Sequence, residues 1–159
     1  MKSLYLLFAI SLFTHKIQNT NTDNPFIGTW EYQENNTIFR VQLYMEEASI
    51  RGHYEKVSII NNIEVPIFKS NREIGFGETF GPVIYGNNDG NLLIAGIDDN
   101  TVTTQYEILG SLSGTLKMEI ISNNPITATW KVKLNNESRL DYDNRVFSIP
   151  ADVILTRVD

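Results

Sequence analysis

The acidic pair Asp141 and Asp143, in the stretch NNESRLDYDNRVF, has the residue types that glycoside cleavage needs. Two carboxyls facing one bond can divide the work, one donating a proton while the other attacks or activates water. Arg139, Tyr142 and Arg145 flank the pair. Residues two apart share a face only in an extended segment. In a loop, the same side chains make local salt bridges in water. A hydrolase built on Asp141 is therefore an expectation that ranks behind non-enzymatic binding.

Other chemistries fall away on spacing. His53 lies in IRGHYEKV, and the second histidine, His15, lies in the N-terminal leader. A lone histidine in a chain without cysteine makes no transition-metal site. No serine stands in a Gly-x-Ser-x-Gly setting that would make His53 part of an acyl-transfer triad. Asp89-Gly90 fails as the centre of a calcium loop, because that register puts Tyr85 first and Gly96 twelfth. GFGETFG, residues 75–81, has the spacing of neither common phosphate loop and no helix to cap. Its aromatics are more informative: Phe76 and Phe80, with Tyr85 beyond, sit among glycines rather than in an alternating strand. Together with Tyr142 they are the candidate ligand-binding residues, lining a pocket mouth or plugging one end of the core. No catalytic group, metal or cofactor is assigned.

Composition narrows the class. The 159 residues fit one domain, 42% hydrophobic and 20% charged, with a formal charge of −6 and no basic cluster. Phosphate backbones need a patch of Lys and Arg, so nucleic acid is not the expected partner. The absence of cysteine removes disulfides and thiolate chemistry. At the N-terminus Lys2 precedes an apolar run, residues 4–13, too short for the roughly 20 residues of a membrane helix. A positive start and a short apolar core form the signal-peptide pattern; the alternative is a buried N-terminal element. The organisation expected is a signal peptide over 1–18, a disordered lead-in over 19–25 and one domain over 26–159. Cleavage near Gln18 removes Lys2 and Lys16 and takes the charge to −8. The protein is expected to be secreted or periplasmic, in a cell of Gram-negative type, with no membrane span left.

Period-two alternation dominates the rest of the chain, and helical periodicity is nearly absent. Phe39, Val41, Leu43 and Met45 oppose Arg40 and Gln42. Leu116, Met118 and Ile120 oppose Thr115, Lys117 and Glu119. Ala128, Trp130, Val132 and Leu134 oppose Thr129, Lys131 and Lys133. Each such segment has one wet and one dry face, the antiparallel situation. Further strands are expected at 27–34, 49–60, 63–69, 91–97, 101–109 and 152–158, with a weaker one at 81–85. Asn35-Asn36, Asn61-Asn62, Asp98-Asp99-Asn100 and Asn123-Asn124-Pro125 supply the turns, since Asn tolerates left-handed backbone. The fold class expected is all-β: a single antiparallel up-and-down meander closed into a barrel of about 8–10 strands, with a β-sandwich as alternative. Closure removes the two exposed sheet edges that a meander otherwise leaves.

NPFIGTW followed by a meander resembles the first strand of the lipocalin and calycin superfamily. That resemblance implies that Trp30 packs across the closed end of the barrel against a basic residue late in the chain. Arg157, in DVILTRVD, stands in that place. A cation–π stack of Trp30 with Arg157 is therefore implied, with Gly28, Trp30 and Arg157 as barrel-closure residues. The stretches GTW, VPIFKSNREIG, LSGTLKMEII, TATWKVKL and IPADVILTRV also make residues 25–158 similar to small secreted lipocalin-like bacterial proteins of unknown function. The chain departs from the lipocalin pattern in lacking a disulfide and in having more than eight strand-like segments. A small apolar or amphipathic ligand in the barrel is the function expected. The alternative is a solid-cored envelope or interaction protein acting through loops 70–90 and 135–149. The large inward residues favour a filled interior, whereas Gly114 and Ala128 leave room for a small cavity.

Overall fold

The computed structural model describes residues 24–102, 110–135 and 143–159. The described residues form eleven strands and no helix. They are β1 (Gly28–Glu34), β2 (Thr37–Glu46), β3 (Ser49–Ile60), β4 (Ile63–Lys69), β5 (Glu73–Gly75) and β6 (Glu78–Thr79). Next come β7 (Ile84–Asp89), β8 (Leu92–Asp99), β9 (Leu112–Asn123), β10 (Ile126–Leu134) and β11 (Asp152–Arg157). The strand expected at 101–109 lies almost wholly outside the described residues, as do the leader and Asp141.

Eight strands make the barrel. β1, β2, β3, β7, β8, β9, β10 and β11 pair antiparallel in chain order, and β11 returns to β1 to close the ring. This is the expected up-and-down barrel, and the closure rules out the sandwich. The turns at Asn35-Asn36 and Asn61-Asn62 form as expected, with positive φ at Asn35, Asn61 and Asn62, which Asn accepts more readily than most residues. Asp98 and Asp99 of the expected Asp98-Asp99-Asn100 turn end β8 instead. One end, the lower rim, carries the start of β1, the β2–β3, β7–β8 and β9–β10 turns, and the C-terminus. The other end, the upper rim, carries the β1–β2 turn and the segment entering β11.

Two seams are short. β1 meets β11 only at Trp30–Arg157 and Glu31–Thr156. β3 meets β7 only from Ile50 to Gly52. Beyond Tyr54, β3 exchanges β7 for β4 on one edge, from Glu55 to Ile60, while its other edge stays paired with β2 as far as Ser58. The register slips at Ile67, which has no partner across β3 and forms a bulge. The β3–β4 hairpin thus forms an arm at the upper rim, level with the β1–β2 turn through the Ile59 N–H to Asn36 carbonyl bond. The small β5–β6 ribbon follows it, and among the described residues the outer edge of β4 is unpaired.

The interior is filled by large side chains. Trp30, Trp130, Tyr54, Phe39, Leu43, Leu116 and Met118 are all fully buried in one cluster. Phe39 packs edge-on against Trp130, with centroids 5.5 Å apart. Each indole N–H finds a carbonyl at one end. Trp30 donates to Phe26 at the lower rim, 2.8 Å, and Trp130 to Pro150 at the upper rim, 2.9 Å. A buried indole needs such a partner, so the two caps and the two tryptophans hold each other.

Two expectations are corrected. The room expected above Gly114 is taken by Phe147: a Cβ on Gly114 would lie 2.6 Å from its ring. The stack of Trp30 with Arg157 gives way to another arrangement, although the two are register partners. Arg157 donates from Nε to Asp159, 3.1 Å, and Asp159 accepts the Thr29 N–H at 2.7 Å. Gly28, with φ of 136°, is where the chain leaves space for that pair. The physical reason is competition: a carboxylate two residues away offers the guanidinium a charge-assisted bond stronger than a ring face.

Candidate functional site

The three described candidate ligand residues, Phe76, Phe80 and Tyr85, do not converge on one pocket. Phe76 sits at the β5–β6 turn with φ of 55° and its ring fully in water. Phe80 lies under Arg72, whose guanidinium carbon is 4.6 Å above the ring. Tyr85 points outward from β7 and lies across Gly96 on β8, where a Cβ would collide with the ring. Its hydroxyl donates to Asp98 at 3.1 Å, and burial raises its pKa above the ordinary phenol value. A ring covering a cross-strand glycine is a packing device. Tyr142 lies outside the described residues. Asp143, the described member of the acidic pair, is bound to Arg145 at 2.9 Å, which also donates to the Gly110 carbonyl.

The upper rim holds a carboxylate that spacing alone assigned to a turn. Asp99 ends β8 and is completely buried. Its Oδ1 accepts from the Tyr54 hydroxyl at 2.9 Å and from the Thr101 N–H at 3.0 Å. Its Oδ2 accepts from the Ser148 N–H at 2.6 Å, and the Ser148 and Thr101 hydroxyls complete the shell. Burial first, then the Asp99 charge, hold the Tyr54 phenol above its usual value, so it stays a donor. A carboxylate surrounded by so many donors has no lone pair left for a substrate. Asp99 is a fastener, tying β3 and β8 to the segment that caps the barrel. The alternation Leu93, Ala95, Ile97 continued by one step would have placed it on the dry face.

The outer face of β2 and β3 carries a second polar cluster. Arg40 bonds Glu31 and Glu55 at 2.6 Å each and Glu64 of the arm at 2.9 Å. These bonds, Glu64 first, keep the guanidinium pKa above its ordinary value. His53 lies beside it, its ring nitrogens 3.3 Å from the Tyr44 hydroxyl and 3.4 Å from that of Ser70. Burial lowers its pKa. A cleft of about 180 Å³ runs between these groups, lined also by Gln42, Lys69 and Asn71. Among the described residues no three His, Cys, Asp or Glu side chains converge to hold a metal ion. No helix of the described residues is long and apolar enough to cross a membrane.

The arm has the opposite character. The face that carries Ile50, Gly52 and Tyr54 inside the barrel continues past the β3–β7 seam through Ser58 and Ile60, opposite Val65 and Ile63 of β4. Nothing among the described residues covers it there. Ile63 is 65% exposed and Ile60 52%. A larger cleft, about 440 Å³, lies between β4 and the exit of β8, lined by Ile67, Phe68, Lys69, Arg72, Asn100 and Val102, among others.

Comparison with known proteins adds family context without a function. Residues 1–59 of the 159 match the model of a family of unknown function (DUF6705). The match takes in β1, β2 and all but the last residue of β3. No curated protein and no solved structure matches the chain.

Proposed function

We propose that this chain is an exported, lipocalin-like but solid-cored binding protein that holds its partner outside the barrel, on the β3–β6 arm. The observation that carries the proposal is where the uncovered apolar side chains lie. Of twelve exposed large hydrophobics among the described residues, six fall within residues 60–76: Ile60, Ile63, Val65, Ile67, Ile74 and Phe76. Scattered exposed apolar residues need no explanation, but a concentration on one segment marks a binding surface. The salt bridges of Arg40 with Glu64 and of Lys69 with Glu55 anchor the arm on its other face, which holds it ready for a partner at little ordering cost. The packed interior, with an indole bound to each cap, favours the outside over the inside as the place of binding. Lipocalin kinship is supported by the eight-stranded closure and by Gly28, Trp30 and Arg157 at the first and last strands. Export is supported by Lys2 and the apolar run behind it.

An uncharged apolar fluorescent dye such as Nile red tests the site. The folded protein is expected to bind it saturably, and Ile63→Glu with Val65→Lys to abolish that binding. Both side chains are exposed, so unfolding stability should stay within about 0.5 kcal/mol. Dye binding that survives the double substitution would mean that the exposed face of the β3–β4 hairpin is not the binding surface, and would defeat the proposal.

A further inference from the structure

Arg72 differs from the other arginines of the described residues. Arg40, Arg51, Arg145 and Arg157 each hold a carboxylate. Among the described residues Arg72 holds none, although the protein carries more acidic than basic residues. Its guanidinium is nonetheless fixed. The Phe80 ring lies under it, 4.6 Å from the guanidinium carbon, and Nη1 donates to the Asn100 carbonyl. Nε and Nη2 have no partner among the described residues. A guanidinium held by a ring and a carbonyl, with one edge unused, offers two parallel N–H groups. That edge matches a planar carboxylate.

Arg72 opens onto the 440 Å³ cleft, whose apolar lining is Ile67, Phe68 and Val102. Among the described residues Lys69 is the only other charged side chain lining it, and no acidic one does. The volume lies within the range of small-ligand sites, roughly 300–1,000 Å³. We infer that this cleft binds a small amphipathic carboxylate: its head pairs with Nε and Nη2 of Arg72, and its aliphatic or aromatic tail lies along Ile67, Phe68 and Val102. Phe80 acts as a positioning residue, holding the guanidinium plane. The inference rests on the proposal that binding takes place outside the barrel, and it names the ligand class.

Titration of the full chain with decanoate, decyl phosphate and decanol, followed by calorimetry, separates the possibilities. Decanoate is expected to bind at least roughly tenfold more tightly than decanol, and Arg72→Gln to erase that difference. Arg72→Lys keeps the charge without the fork and should recover only part of it. Phe80→Leu should weaken decanoate while leaving decanol unchanged, which loss of structure would not do. Arg72 is exposed, so a thermal melt of Arg72→Gln like that of the parent shows that the fold is intact. Equal binding of decanoate and decanol, or an Arg72→Gln variant that binds decanoate as the parent does, overturns the carboxylate site while the arm proposal stands. Decyl phosphate binding more tightly than decanoate would also overturn the ligand class. Failure of all three ligands together with the apolar dye overturns both.

Discussion

Asp99 and Ser148 lie 49 residues apart and meet through three contacts of 2.6 to 3.1 Å. Asp99→Asn keeps the volume but turns an amide N–H toward groups that are themselves donors. Bonds to a charged acceptor contribute about 1.5–3 kcal/mol, and several are lost at once, so we expect a loss of about 3 kcal/mol in urea unfolding. A loss below about 1 kcal/mol would mean that the fastener carries little of the cap. Tyr54 gives the same network a pH dependence. Its phenol pKa is raised in the folded protein by burial and then by Asp99. The unfolded chain releases that proton near pH 10, whereas the folded chain keeps it. Stability is therefore full below about pH 10 and falls as pH rises beyond it. The urea midpoint of the parent should drop more steeply between about pH 10 and 11.5 than that of Tyr54→Phe. Parallel curves would exclude this phenol as the cause.

At the scale of elements, what decides the upper rim is the segment before β11. Phe147 drops onto Gly114, Ile149 is buried, and Pro150 accepts the Trp130 indole N–H. Phe147→Ala should cost about 2–3 kcal/mol, below the full-burial range because the ring is only partly buried. Gly114→Ala should also destabilise, by about 1–3 kcal/mol, because the new methyl meets the Lys133 carbonyl at 2.5 Å as well as the ring. Denaturant unfolding of both variants checks the pair. A neutral Gly114→Ala would mean that the ring moves aside freely, and the cap would then be loose. Strand alternation made Gly114 visible as an inward position. It could not say that a residue 33 places later fills the space, because a loop side chain has no periodicity to betray where it points.

For the whole molecule, stability is expected to follow the length of the seams. β8 and β10 each pair with β9 along their whole length, whereas β1–β11 and β3–β7 are joined over two or three residues. In amide exchange the β8–β10 sheet should be the last to open, and amides near the short seams, such as Glu31 and Arg51, among the first of the barrel. Equal protection around the ring would show that the seams are held by packing rather than by hydrogen bonds.

The sequence by itself determined most of the barrel strands, their wet and dry faces, the turns at Asn35-Asn36 and Asn61-Asn62, and the all-β meander. Each of these depends on neighbours a few residues apart, and alternation such as that of Phe39, Val41 and Leu43 records it directly. The resemblance of the first strand to the lipocalins marked Gly28, Trp30 and Arg157 as a group at the closing strands. Only the tertiary structure decided that Arg157 turns to Asp159, that Asp99 is buried, and that Phe147 plugs the barrel. Only it placed a ring beneath Arg72 and, among the described residues, no acid beside it. Those outcomes depend on which distant groups compete for the same space or the same proton. The competition exists only once the ring has closed.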